Sequence, residues 1–113
     1  MVDTPESRSR LVAIGFTLLC LALMAWRLTI PSKFFFDEVH YLPAARALID
    51  LSGPVNTEHP LFAKTIIAAG MLLFGDNAFG WRIFPWAFGG LAIFATMRMT
   101  WWLARSEIAA FMA

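Results

Sequence analysis

The run from Leu11 to Trp26 carries no charged side chain. It can be prolonged through Arg27, whose stem tolerates apolar surroundings while its head reaches water, as far as Ile30, where Pro31 stops it. At about 1.5 Å per helical residue, such a segment reaches across the roughly 30 Å of bilayer hydrocarbon. A second run, Ile83 to Met97, extends past Arg98 to Ala104 on the same reasoning. The chain is 59% hydrophobic and 15% charged, with a mean hydropathy of +0.65, whereas a soluble domain carries roughly 25% charged residues. The expected fold class is therefore an all-α integral membrane protein with two transmembrane helices, at 11–30 and 83–104. A cleaved signal peptide is the competing reading of the first run, but the stretch exceeds the usual ~7 to 15 apolar residues and no good cleavage site ends it.

What remains is a tail (1–10), a long connection (31–82) and a final segment (105–113) that reads as the start of a following, truncated element. Within the connection, Tyr41, Leu42, Ala45, Leu48 and Ile49 recur at helical spacing, which predicts a surface helix near 38–50. Pro43 implies that the helix either starts there or kinks after an Asp37 cap. Leu61 to Phe74 would cover only about 21 Å as a helix, so 60–74 is read as a second interfacial helix, with a tilted span over 60–79 as competitor. Pro85 is expected in the first turn of the second span, and Gly89-Gly90 offers a place for another helix to approach. Tryptophans 81 and 86 at one end, and 101 and 102 at the other, resemble interfacial belts.

Composition also narrows the partners. Nine Lys and Arg stand against eight Asp and Glu, a net charge of +1, which gives no basic excess for nucleic acid. The single cysteine, Cys20, excludes an intrachain disulfide framework and a cysteine-rich zinc site. Membrane lipid is the expected surrounding. The cation distribution alone does not decide which side of the membrane the connection occupies.

The connection concentrates the polar chemistry. Asp37-Glu38 follows Phe34-Phe35-Phe36, which would hold the backbone at the lipid boundary. Asp37 could simply cap the surface helix with Glu38 complementing its dipole, or the pair could supply a general base or a ligand for a divalent cation. Glu58-His59-Pro60, Lys64 and Arg82 form a second set, each of which could alone be a turn, a cap or a headgroup anchor. Together, acids that remove a proton and cations that balance a phosphate are what transfer from a lipid-phosphate donor requires. Asp37, His40, Glu58 and His59 could also converge on a metal, although their spacing is not diagnostic.

Three stretches carry a resemblance: Phe36-Asp37-Glu38-Val39-His40-Tyr41, Glu58-His59-Pro60-Leu61-Phe62-Ala63-Lys64, and Leu73-Phe74-Gly75-Asp76-Asn77-Ala78-Phe79-Gly80-Trp81-Arg82. In order and spacing the region from Phe36 to about Ala104 resembles the amino-terminal part of the protein O-mannosyltransferase family and related polyprenyl-phosphate-sugar glycosyltransferases of the GT-C fold. The resemblance implies that Asp37 is the catalytic base toward a serine or threonine hydroxyl, with Glu38 as its companion. It implies that His59, Lys64 and Arg82 lie near the donor phosphate. Leu61 stands where the family usually has the second proline of His-Pro-Pro.

The family likeness further implies a cytoplasmic amino terminus, a periplasmic or lumenal connection, and a multi-pass protein of the inner or plasma membrane if bacterial. The donor would be a polyprenyl- or dolichyl-phosphate sugar, most simply mannose, and the acceptor a protein or lipid hydroxyl. No nucleotide sugar or other cofactor is then required; a divalent metal held by Asp37 and Glu58 is an option suggested by the similar lipid A aminoarabinose transferases, where the Glu58 position helps hold one. Two alternatives stand beside this reading: an aminoarabinose-transferase-like enzyme acting on a lipid or glycan, and a noncatalytic small membrane protein. As the front of a larger enzyme, residues 1–113 alone are expected to be inactive.

Overall fold

A computed structural model describes residues 4–113. They form five helices, α1 (Pro5–Ala25), α2 (Glu38–Asp50), α3 (Leu61–Phe74), α4 (Ala78–Ala104) and α5 (Glu107–Met112), with no strand among the described residues. Two of these, α1 and α4, are long and apolar enough to cross a membrane.

The helix of the first apolar run is displaced toward the amino terminus relative to the expected 11–30. It begins at Pro5, whose missing N–H is no loss at a first helical position. Ahead of it Thr4 and Ser7 bond reciprocally: the Ser7 N–H donates to Thr4 Oγ1 at 3.2 Å, and the Thr4 N–H to Ser7 Oγ at 3.0 Å. At the other end α1 stops at Ala25, and the Ile30 N–H turns back to the Arg27 carbonyl at 3.0 Å. A residue before proline is pushed out of the helical region, and Ile30 precedes Pro31. Arg27 therefore lies in a turn, not in a helix from which it could snorkel.

The second long helix starts earlier than the expected residue 83. Asn77 Oδ1 accepts from the Phe79 and Gly80 N–H groups at 3.0 and 3.1 Å, which caps α4 ahead of Ala78. Pro85 thus stands in the helix interior, a correction to its expected first-turn place. At 27 residues, α4 is about 40 Å long.

The chain divides into two compact units. In residues 26–86, α2 and α3 pack together, and Leu42, Ala45, Ala68, Met71, Ala78 and Trp81 form the buried core. The glycines at 70 and 80 set the closeness of α3 to the start of α4: a Cβ on Gly70 would collide with the Gly80 carbonyl oxygen, and one on Gly80 with the Gly75 carbonyl oxygen. The other unit joins α1 to the part of α4 from Ala87 onward and to α5. Ala13, Met97, Trp101 and Ala110 are its buried core. Gly90 backs directly onto Leu21, where a Cβ would come within 2.6 Å of the leucine methyl, so this glycine does serve helix approach.

Candidate active site

The site is built within residues 26–86. Asp37 occupies the position before α2, but its backbone is already helical (φ −66°, ψ −14°) and its side chain makes no cap hydrogen bond. No side chain caps α2; Glu38 Oε2 instead reaches back out of the helix to accept from the Phe35 N–H at 2.9 Å. Helix α2 runs from Glu38 straight through Pro43, so the helix neither begins at Pro43 nor waits for an Asp37 cap. Asp37 is exposed, and among the described residues its carboxylate has no hydrogen-bond or ion-pair partner; only its backbone carbonyl is engaged, by the His40 and Tyr41 N–H groups at 2.9 and 3.1 Å. The residue before it, Phe36, has φ +50°, a left-handed conformation that a bulky side chain rarely adopts.

Glu38 is held by Arg82. Nε donates to Oε1 at 2.5 Å and Nη2 to Oε2 at 2.8 Å, a bidentate fork. The rest of the guanidinium is also engaged, Nη1 with the Leu28 and Pro31 carbonyls at 3.0 and 2.8 Å and Nη2 with the Lys33 carbonyl at 3.5 Å. Arg82 thus ties the segment between α1 and α2 to the start of α4. Burial pushes the Glu38 carboxyl up, but the hydrogen bonds from Arg82 and the Phe35 N–H, with the arginine's charge, outweigh it and hold the group below its ordinary range.

Lys64, expected near a phosphate, is buried at 4% exposure. Its ammonium donates to the carbonyls of Val55 and His59, at 3.3 and 3.0 Å, and to that of Asn56. These contacts account for three donors on one ammonium, and the lysine organises the 55–59 loop. His59 is exposed; its Nδ1 meets Asn56 Oδ1 at 2.8 Å. Its ring packs edge-on against Tyr41, with centroids 5.3 Å apart. Tyr41 is one turn beyond Asp37, so the imidazole lies beside the first turn of α2. An open cleft of about 740 Å³ between α2 and the start of α3 is lined by Leu48, Val55, Glu58, His59 and Lys64 among others.

The structure therefore brings Glu38 to Arg82, and His59 to Tyr41 and the Lys64-bound loop. It does not gather Asp37, His40, Glu58 and His59: no cluster of three or more His, Cys, Asp or Glu is arranged to hold a metal among the described residues.

A second ion pair went unnoticed in the sequence. Arg46 grips Asp76 through Nε to Oδ2 at 2.7 Å and Nη2 to Oδ1 at 2.9 Å, and Trp81 Nε1 donates to Asp76 Oδ1 at 2.6 Å. The Arg46 guanidinium also lies over Phe34, 5.2 Å from the ring centroid, and Phe34 meets Trp81 edge-on at 5.3 Å. The Asp76 carboxyl is held below its ordinary range, chiefly by the hydrogen bonds from Arg46 and further by that from Trp81, against the upward push of burial. This network fixes Phe34, three residues before Asp37. The only signal was that Asp76 sits in the Gly75-Asp76-Asn77 turn; its partner is 30 residues away.

Fold and site together define a helical membrane protein with an acidic turn clamped by arginine at the root of a long apolar helix. The sequence is similar to the polyprenol-phosphate-mannose–protein mannosyltransferase of Corynebacterium glutamicum, 34% identical over 90 residues, covering 69% of this chain and 17% of the relative. Proteins of the same name in Mycobacterium tuberculosis and Mycolicibacterium smegmatis are 32% identical over 79 residues, covering 65% of this chain and 15% of theirs. The resemblance read from the motifs is thus found in curated proteins, of whose length the chain spans about a sixth. No protein-family model matches the chain. No solved structure matches it.

Proposed function

We propose that a protein carrying this chain transfers a sugar, most simply mannose, from a polyprenyl-phosphate carrier to a protein Ser or Thr hydroxyl, with Asp37 as the general base. The observation that carries this reading is the unpartnered, exposed Asp37 carboxylate beside a neighbour, Glu38, wholly committed to Arg82 and the Phe35 N–H. Of two adjacent acids, one is tied down and one is available. The names of the relatives support the donor and the acceptor class.

In this reaction the hydroxyl oxygen forms a bond to the sugar anomeric carbon as its proton passes to Asp37. The bond from that carbon to the phosphate oxygen breaks, the electron pair leaves with the polyprenyl phosphate, and the configuration inverts. Glu38 and Arg82 position the turn that bears Asp37, and Arg82 meets the leaving phosphate only by releasing one of its present partners. His59 is the exposed one of the three residues assigned to the phosphate, and Lys64 contributes by shaping the loop that carries it. The site lies on the periplasmic or lumenal side in this reading, in a multi-pass protein.

The test is Asp37→Asn in membranes containing the protein, with transfer from polyprenyl-phosphate mannose to an acceptor peptide as readout. Loss of a general base lowers the rate by about 10²- to 10⁴-fold; undiminished turnover removes Asp37 from the role. Residues 1–113 alone have no transfer activity in this reading, since they correspond to 17% of the C. glutamicum relative. Robust transfer by the purified chain contradicts that.

A further inference from the structure

Asp37 heads a stripe of side chains that runs the length of α2. Its backbone is helical and its carbonyl accepts from the Tyr41 N–H at 3.1 Å. Asp37, Tyr41, Ala44, Leu48 and Leu51, spaced alternately four and three residues apart, therefore follow one face of the helix. Beyond Tyr41 this face becomes one wall of the cleft of about 740 Å³, to which Ala44, Leu48 and Leu51 contribute from α2 and the 53–61 segment from the other side. His59 marks the join, since it lines the cleft while its ring rests on Tyr41. The cleft thus continues the surface that bears the available carboxylate.

Its walls define what fits. Leu51, Val55 and Leu61 are 89%, 44% and 61% exposed, an apolar rim around the small side chains of Ala44 and Ala47. Leu51 closes α2 at φ +53°, where helices prefer glycine or asparagine, so its side chain serves neither the cap nor the core. Beside it Gly53, Pro54 and Val55 belong to no helix or strand. Among the described residues the N–H groups of Gly53 and Val55 and the carbonyls of Gly53 and Pro54 have no hydrogen-bond partner. The lining holds one lysine, Lys64, and one carboxylate, Glu58, so net charge selects nothing here; backbone pairing and apolar contact do.

We infer that this cleft holds the acceptor polypeptide, extended along α2 with its hydroxyl residue at Asp37 and its flanking residues between Leu48, Leu51 and the 53–55 segment. The inference rests on the sugar-transfer reading for the hydroxyl at Asp37. Main-chain chemistry selects the occupant: a polypeptide brings N–H and C=O groups to the unpaired ones of residues 53–55, in the manner of strand addition. An isoprenoid tail would strip water from the same groups and return no hydrogen bond. From Asp37 to Leu48 the helix rises about 16 Å, which an extended chain covers in about five residues. The flank so placed meets alanine and leucine, which suits small apolar side chains.

Two alanine-rich peptides, each with a single threonine and a benzoylphenylalanine about five residues before or after it, are irradiated with the full-length protein in membranes, and the crosslinked residues are read by mass spectrometry. One of the two should label residues 44–61, and the unlabelled peptide should compete. Leu51→Asp suits the φ +53° backbone and removes no buried contact. It should raise the KM for the threonine peptide about tenfold with kcat and the donor KM unchanged, whereas a structural lesion would lower kcat. Crosslinking requires no chemistry at Asp37, so it reads the cleft even if Asp37→Asn leaves turnover intact and the base assignment falls. Labelling confined to other residues, a Leu51→Asp protein with the parent's peptide KM, or labelling of residues 44–61 by a photoreactive polyprenyl phosphate in place of the peptide overturns the inference.

Discussion

Arg82 and Glu38, 44 positions apart in sequence, meet in a two-point ion pair in which both carboxylate oxygens and two guanidinium nitrogens take part. The side chains are only 15% and 22% exposed, so the pair is shielded enough for its geometry to matter. Arg82→Lys keeps the charge but cannot reproduce the fork or reach the Leu28, Pro31 and Lys33 carbonyls together. It should lower unfolding stability by about 2 kcal/mol, read by thermal unfolding in detergent, and slow sugar transfer if the proposed reading holds.

The same pair gives a pH dependence of known sign. The Glu38 carboxyl lies below its ordinary value of 4.5 when the protein is folded, so the folded state binds fewer protons there than the unfolded state does. Its contribution is fully present above about pH 4.5 and is lost as the pH falls through the lowered folded value. Asp76, held below its ordinary 3.8 by Arg46, acts in the same direction at still lower pH. Glu38→Gln should be less stable than the parent at pH 7, and the difference should shrink in unfolding curves taken progressively below pH 4.5.

Asp76→Asn removes the charge beneath Arg46 while keeping an acceptor for Trp81 Nε1. It should destabilise the protein by about 1 kcal/mol, and Asp76→Ala by more, because the indole N–H then loses its partner. Since Arg46 also covers Phe34, hydrogen exchange in residues 34–38 should accelerate in both variants. Unchanged protection there would separate the ion pair from the acidic turn.

Gly70→Ala forces a methyl group into the Gly80 carbonyl, backbone against backbone. Neither partner can rotate out of the way, so a loss of at least about 2 kcal/mol is expected. Gly15→Ala, where a Cβ meets nothing within 4 Å, is the matched control and should be neutral or slightly stabilising.

Lys64→Met preserves the stem and deletes the ammonium that holds the carbonyls of Val55, Asn56 and His59. The three carbonyls lose their donor, and exchange protection at residues 55–60 should fall while that of α2 persists. A loop as protected as in the parent would show that Lys64 is not its organiser.

Hydrophobic run length makes the two long helices legible in the sequence, because a span announces itself by an absence of charge that neighbouring structure does not alter. Their ends were less legible. The Thr4–Ser7 cap and the Asn77 cap lie in polar sequence outside the apolar runs, so a reading based on hydropathy trims α4 at its start and shifts α1 toward Ile30. The helices at Glu38–Asp50 and Leu61–Phe74 followed from spacing and breakers. At the site, residue types pointed to Asp37, Glu38, His59, Lys64 and Arg82, but not to who holds whom. That Lys64 faces carbonyls and that Arg82 faces Glu38 depends on approach across 5 to 44 positions, and Arg46 with Asp76 was invisible for the same reason.

Every N–H of the Arg82 side chain already has a recipient, a carboxylate on one side and the carbonyls of residues 28, 31 and 33 on the other. An anion arriving at this guanidinium cannot simply add to it; it must evict an occupant. Whichever tie is released, it flanks Asp37, at Glu38 on one side or in residues 28–33 on the other, so occupancy at Arg82 and slack in that segment rise and fall together.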